Sequence, residues 1–264
     1  MYRTKALAMT IDRKTISQLF LAGAAVALLS GCATSHESGA MSRNQISDPF
    51  EATNRAVFSF NKAVDHAIIN PVIKGYRAVV PKPARTGFRN VLRNLKSPVR
   101  FANQLLQGDV AGAGNELVRT VVNTFAGIGG LFDVAENAGF AYEPEDFGQT
   151  LGVWGVPHGP YLVVPFLGPS SLRDYVGYAV DAYADPLNMY LRNTDQEGWL
   201  YARLGADYFN LREELYDILT DLEASSIDYY AATRSAYYQR REALVNDQGS
   251  DVITAPAIPD YDDY

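Results

Sequence analysis

Three histidines, one cysteine and one tight acidic cluster are the residues of this 264-residue chain whose types could do chemistry. His158 is the histidine best placed to act as a base, in a Gly/Pro-rich stretch with Ser170 and Ser171 downstream; His36 and His66 stand apart. A serine nucleophile needs an oriented base and a sharp turn that exposes its hydroxyl, and no Gly-x-Ser-x-Gly run is present. A lone histidine among aromatic residues is more often structural, so a hydrolase rests on position alone. Glu143, Glu145 and Asp146 could hold a hard cation, but they lack the spacing of an EF-hand loop and read more readily as a solvated turn. Gly127-Ile128-Gly129 begins like a dinucleotide fingerprint, yet Phe132 stands where the third glycine belongs. No glycine-rich loop leads into Lys-Ser or Lys-Thr either. The expectation is a protein without catalytic residues, without a metal and without a bound cofactor.

The one cysteine forbids an intrachain disulfide and any zinc site built on two thiolates. Its position suggests another use. Arg3, Lys5, Arg13 and Lys14 form a basic n-region, and residues 19–29 form an apolar run too short for the ~20 residues of a membrane-spanning helix. Leu29-Ser30-Gly31-Cys32 then resembles the bacterial lipobox, in which the signal is cut before a cysteine that becomes lipidated. Ala33 follows, and lipoproteins without Asp at that place are usually sorted to the outer membrane. The expected organisation is a signal peptide over 1–31, an acylated flexible leash over 32–47 tethered at Cys32, a helical domain over 48–245 and a disordered acidic tail over 246–264. An ordinary signal peptide with a chance cysteine is the alternative.

The elements that must carry any function are amphipathic helices. Lys+Arg number 23 against 30 Asp+Glu, the pI is near 5.0, and an acidic chain of this kind is a poor partner for nucleic acid. Asp48-Pro49-Phe50-Glu51 has the form of a capping box, and the apolar repeat that follows predicts a helix ending near Asn70-Pro71. A second helix is expected over 84–97, broken or restarted at Pro98. It carries Arg85, Arg89, Arg93 and Lys96 along one face and Phe88, Leu92 and Leu95 along another, in a stretch where no acidic residue occurs between Asp65 and Asp109. Such a stripe suits cations at phosphate headgroup level, or it is an ordinary solvated face. The run 107–130 is small and apolar, which suits close helix packing. Over 147–169, glycines and prolines predict loops with at most one strand, at 161–164. Two long helices should follow, one on Leu200, Leu204, Leu211, Leu215, Ile218 and Leu222, the other over 227–245.

Asp48-Pro49-Phe50-Glu51, Asn54-Arg55 and Phe58-Ser59-Phe60-Asn61 together resemble the opening signature of the MlaA/VacJ phospholipid-transport lipoproteins. Leu105-Leu106-Gln107-Gly108, Asn123-Thr124 with Gly127 and Gly129-Gly130, Asp146-Phe147-Gly148-Gln149-Thr150-Leu151-Gly152, Gly159-Pro160-Tyr161 and Gly168-Pro169-Ser170 follow in the family's order. The resemblance implies a mainly α-helical, ring-like single domain with an amphipathic channel, lying in the inner leaflet of the outer membrane and without enzymatic activity. Its implied work is to remove phospholipids that have strayed into the outer leaflet and hand them to a soluble periplasmic carrier, beside a trimeric porin. By the same analogy, Phe50, Asn54, Arg55, Phe58, Phe60 and Asn61 shape the channel ridge. Asn123, Gly127, Gly129, Gly130, Asp146, Phe147 and Gly148 belong to the gating loop, and Arg85, Arg89 and Arg93 hold headgroup level. A structural lipoprotein and, behind it, a lipid hydrolase at Ser170 or Ser171 are the rival readings.

Overall fold

The computed structural model describes residues 47–246, so the signal segment, Cys32 and the tail beyond 246 lie outside the described residues. Ser47, at the end of the expected leash, already joins the fold: its carbonyl accepts the Tyr161 N–H at 3.0 Å. Helix α1 (Glu51–Val64) begins without a side-chain cap, at Phe50. The capping box is not made, because the Asp48 carboxylate is taken by stronger partners: the Arg234 guanidinium, the Tyr230 hydroxyl and, at 2.8 Å, the Asn54 amide.

The helix also fails to end at Pro71. A π-helical turn (Asp65–Ile69), in which the Asn70 N–H reaches back to the Asp65 carbonyl, leads into α2 (Asn70–Val79) with Pro71 in its first turn. The widened turn accommodates a residue that has no N–H to give. Helix α3 (Lys82–Leu95) is followed by a restart at Pro98 into α4 (Ser97–Gln107), as the sequence predicts. Gly108, at φ 82°, closes α4 in the left-handed region, and the Asp109 carboxylate accepts the Gly112 N–H at 2.9 Å to open α5 (Val110–Phe125). A short α6 (Val134–Asn137) is capped by Asp133.

The stretch expected to be loops contains a helix, α7 (Phe147–Val153), and a hairpin of β1 (Tyr161–Val164) and β2 (Gly168–Ser171), paired antiparallel with Tyr161 opposite Ser171. Then come α8 (Leu172–Ala184), α9 (Pro186–Asn193), the 29-residue α10 (Glu197–Ser225) and α11 (Tyr229–Val245). The glycines of α7 are contact residues rather than breakers: a Cβ on Gly177 of α8 would lie 2.2 Å from the Gly148 nitrogen. Close backbone approach therefore falls at the α7–α8 crossing, whereas Gly114, inside the small-residue run, faces open space.

Among the described residues, ten buried residues are apolar and eighteen are polar or charged, and many large apolar side chains lie outside. A water-soluble core is partitioned the other way round. The polar interior ties helices together. The Asp181 carboxylate of α8 accepts the Phe147 N–H of α7 at 2.8 Å and the Asn103 amide of α4 at 3.0 Å. Burial pushes its pKa up to about 6, against those two bonds.

Two outcomes follow for the purified protein in detergent. Gly177→Ala should cost about 1–3 kcal/mol by overpacking, while Gly114→Ala should be neutral or stabilising; thermal unfolding of both variants checks this. Because Asp181 binds its proton more tightly folded than unfolded, its stabilising share is complete below about pH 4 and declines as pH rises through about 6. The difference in melting temperature between wild type and Asp181→Asn should change between pH 4 and 7; a constant difference would remove the assignment.

Candidate functional site

The stripe on α3 does not look outward. Arg85 and Arg77 converge on Glu213 of α10, Arg77 also meets Asp217 at 2.7 Å, Arg93 and Arg89 share Glu214 at 3.4 and 3.7 Å, and Lys96 reaches Asp207 at 3.3 Å. The cationic segment is thus compensated by an acidic face of α10. The guanidiniums of the stripe are half-buried ion-pair partners within the chain. Asp207, Glu213, Glu214 and Asp217 recur at helical steps, which is the signal that could have revealed the pairing.

Deeper in, charge is fully enclosed. Arg100 and Glu116, with side chains 6% and 1% exposed, pair at 2.6 Å between α4 and α5. Arg119 binds Asp133 at 2.6 Å and Glu136 at 3.0 Å, and the Tyr142 ring lies under Arg93, Arg100 and Arg119 at 4.2, 5.0 and 5.7 Å. Asn123 clamps this region, donating to Asp133 and accepting the Ala135 N–H, both at 2.9 Å. Burial alone would raise the Asp133 carboxyl, but hydrogen bonds from Asn123 and Arg119 outweigh it and hold the group below its ordinary value.

The residues expected to gate divide into two places. Asn123, Gly127, Gly129 and Gly130 form a closed turn after α5. In it the Gly129 and Gly130 N–H groups bond the Thr124 and Asn123 carbonyls at 2.8 Å, and Phe125 and Ile128 protrude, 82% and 68% exposed. Asp146, Phe147 and Gly148 are instead locked at the start of α7. Asp146 caps α7 and is gripped by Arg241 at 2.6 and 2.9 Å, and Arg241 also holds Asp174 at 3.0 Å.

The ridge residues are likewise absorbed by packing. Asn54 donates to the Tyr161 carbonyl and accepts the Val163 N–H, both at 2.9 Å, while Asn61 does the same for the Val164 carbonyl and the Phe166 N–H at 3.0 and 2.8 Å. Two asparagines on α1 therefore act as a partner for the β1 edge. Arg55 bridges Glu51 and Asp228, Phe58 packs edge-on against Tyr229 and Tyr230, and Phe50 is half-buried at the helix start. Phe60 alone of the six apolar and polar ridge positions presents a large exposed apolar surface, against Phe166.

The hydrolase arrangement is not assembled. His158 stacks edge-on against Tyr238, its Nδ1 lies 4.0 Å from Asp174, and burial together with Arg173 pushes its pKa down. Ser170 and Ser171 turn to Tyr237, and the Ser171 hydroxyl accepts the Asp174 N–H to cap α8. Gln104 and Gln107 donate to Glu143 and Glu145, and no cluster of three metal-ligating side chains exists among the described residues.

Many large apolar side chains are also exposed. Phe88 and Leu95 on α3, Leu105 and Leu106 on α4, and Leu117, Val121 and Phe125 on α5 face outward, whereas α8, α9 and α10 expose Tyr178, Tyr183, Tyr190, Trp199 and Tyr201. Apolar exposure on this scale marks contact with a membrane or with another protein. Among the described residues no helix is long and apolar enough to cross a membrane.

The family model described as MlaA lipoprotein matches residues 46–244. Proteins named intermembrane phospholipid transport system lipoprotein MlaA are 37% identical in Shigella flexneri, over 83% of this chain and 85% of theirs, and 31% identical in Haemophilus influenzae, over 94% and 96%. A solved chain, reported as the structural basis for maintenance of bacterial outer membrane lipid asymmetry, superposes with a TM-score of 0.67 at 36% identity. It is covered completely, and it covers 76% of this chain. With its helices, its ordered motifs and its polar interior in place, this chain belongs to the MlaA lipoprotein family.

Proposed function

We propose that the protein is a lipid-anchored component of the outer membrane that removes mislocalised phospholipids from the outer leaflet and passes them to a soluble periplasmic carrier, so that lipid asymmetry is maintained. Signal cleavage after residue 31 leaves Cys32 acylated, residues 32–47 form the leash, and residues 48–245 handle the lipid in a ring-like arrangement seated in the inner leaflet beside a trimeric porin. The relatives named as intermembrane phospholipid transport lipoproteins support this role.

The observation that carries the reading is the inverted partition of the side chains: charges paired inside, aliphatic and aromatic side chains outside. In hydrocarbon, every polar group must find its partner within the protein, and helices do this for the backbone. A polar interior next to an apolar exterior gives a headgroup and its acyl chains separate places to go. No bond in the lipid is made or broken, and flow needs no nucleotide here, because removal by the carrier draws lipid onward.

Outer-leaflet phospholipid labelled on intact cells should rise in a deletion strain and fall again with the wild-type chain but not with Cys32→Ala; an unchanged level in the deletion would sink the transport role. Insertion itself is read by the two tryptophans. Trp154 donates to the Leu106 carbonyl beside exposed Leu105, and Trp199, 71% exposed, is flanked in sequence by Asp195, Glu197 and Tyr201. Tryptophan and tyrosine favour headgroup level. In single-tryptophan variants, Trp154 should be quenched best by bromines deep in the acyl chain and Trp199 by shallow ones. Quenching of neither would remove the membrane seat.

A further inference from the structure

The geometry points to an oxyanion site in the cleft between α3, α4 and α5, one that takes a phosphate group, whether of a lipid headgroup or of free phosphate. Arg93 of α3, Arg100 of α4 and Arg119 of α5 line this cleft with Tyr142, and their guanidinium carbons lie 4.2, 5.0 and 5.7 Å from the centre of the tyrosine ring. Three cations from three helices thus converge on one place. Of the α3 stripe, Arg93 alone lines it.

The cleft is graded in depth. Ser97, Arg100, Arg119 and Asn123 are buried, whereas Asn90, Arg93, Asn94 and Tyr142 are half-buried. Its interior has room for about one water-sized group, and the free space reaches about 240 Å³ once the open mouth is counted. A phosphate can therefore place one oxygen inside and keep the others near the mouth.

The lining is rich in donors and poor in acceptors of negative charge. Arg93 and Arg100 meet their carboxylates, Glu214 and Glu116, through Nη2 alone, at 3.4 and 2.6 Å, and neither carboxylate is part of the lining. The Nε and Nη1 donors of both arginines stay available, and the Arg100 Nε is buried without a partner. Asn94 donates to the Thr124 hydroxyl at 3.0 Å, which uses one of its two amide hydrogens. The single carboxylate that lines the cleft, Asp133, is already taken by Arg119, Asn123 and the Glu136 N–H. A cation would be repelled by three guanidiniums, and an apolar group would leave their donors unmet. A phosphate brings several acceptor oxygens, which the planar fork of arginine fits two at a time.

Helices α3 and α5 also expose Phe88, Leu95, Leu117 and Val121, so a phospholipid held here by its phosphate finds apolar surface for its acyl chains on the same helices. That source of the phosphate rests on the lipid-handling role proposed above.

The test uses the full-length lipoprotein in detergent and compares binding of phosphatidylglycerol, diacylglycerol of the same acyl chains, and inorganic phosphate. Wild type should prefer the phospholipid to diacylglycerol. Arg93→Gln should lose about tenfold in phospholipid affinity, the effect of one charge-assisted contact, with diacylglycerol binding unchanged. Its melting temperature should hold, because Glu214 keeps Asn210 and Arg89 as partners. Arg93→Lys should retain part of the preference, and Lys82→Gln, the same charge change on the exposed start of α3, should bind as wild type does. Wild-type affinity for phospholipid and phosphate in Arg93→Gln, or an equal loss in Lys82→Gln, would overturn the site. Micromolar binding of inorganic phosphate that is lost in Arg93→Gln, in a protein that takes up no phospholipid, would support the site with free phosphate as its ligand and overturn the lipid-handling role, so the two failures are distinguishable.

Discussion

A charge buried inside this chain must meet its counter-charge within the chain, because the interior offers it no water. Arg100 with Glu116, Arg119 with Asp133, Arg203 with Asp185 at 2.7 Å and Arg241 with Asp146 and Asp174 each join elements that are separate in sequence. Such pairs contribute modestly as net stability, since desolvation offsets most of the attraction; removing one partner is costly, on the order of 3–5 kcal/mol, because the other is left buried and uncompensated. They are therefore better understood as specifying which helix lies against which. Apolar packing has little directional preference, and a chain whose apolar side chains face outward needs another source of specificity.

The same requirement explains the hairpin. A lone two-stranded ribbon is marginal in water and leaves its edges unpaired. Here the Asn54 and Asn61 amides of α1 supply donors and acceptors to β1, and Tyr161, Val163 and Tyr230 make the small apolar cluster beneath it, with Val57, Phe58, Tyr237 and Tyr238 packed around. Asp48 closes the assembly by joining α1 to Arg234 and Tyr230 of α11. The opening signature of the family thus has a structural use: it fastens the first helix to the hairpin and the last helix.

The apolar exterior also differs in chemistry along the chain. From α3 to the turn after α5 the exposed large apolar residues are Leu, Val, Ile and Phe; from α8 to α10 tyrosine and tryptophan join Leu, Val, Ile and Met among them. The first set suits hydrocarbon, and the tyrosines and tryptophan of the second carry a polar atom that suits the zone where headgroups and water meet. This difference accords with a protein seated in one leaflet.

Sequence by itself determined a mainly helical chain, the restart at Pro98, the strand at Tyr161–Val164, the two long C-terminal helices and, through ordered motifs, the family. These are local matters of period, breaker and motif, readable within a few residues. Tertiary structure alone decided the partners. The α3 arginines read as an outward stripe until α10 supplied Glu213 and Glu214; Asp48 read as a helix cap until Arg234 and Tyr230 claimed it; Gly148 and Gly152 read as breakers until α8 showed why α7 has no room for side chains there. Asn54 and Tyr161 lie 107 positions apart, and no periodicity encodes such a choice. The physical reason is that a charge or amide in an apolar setting bonds to whichever complementary group the fold delivers, and that delivery is a property of the assembled helices.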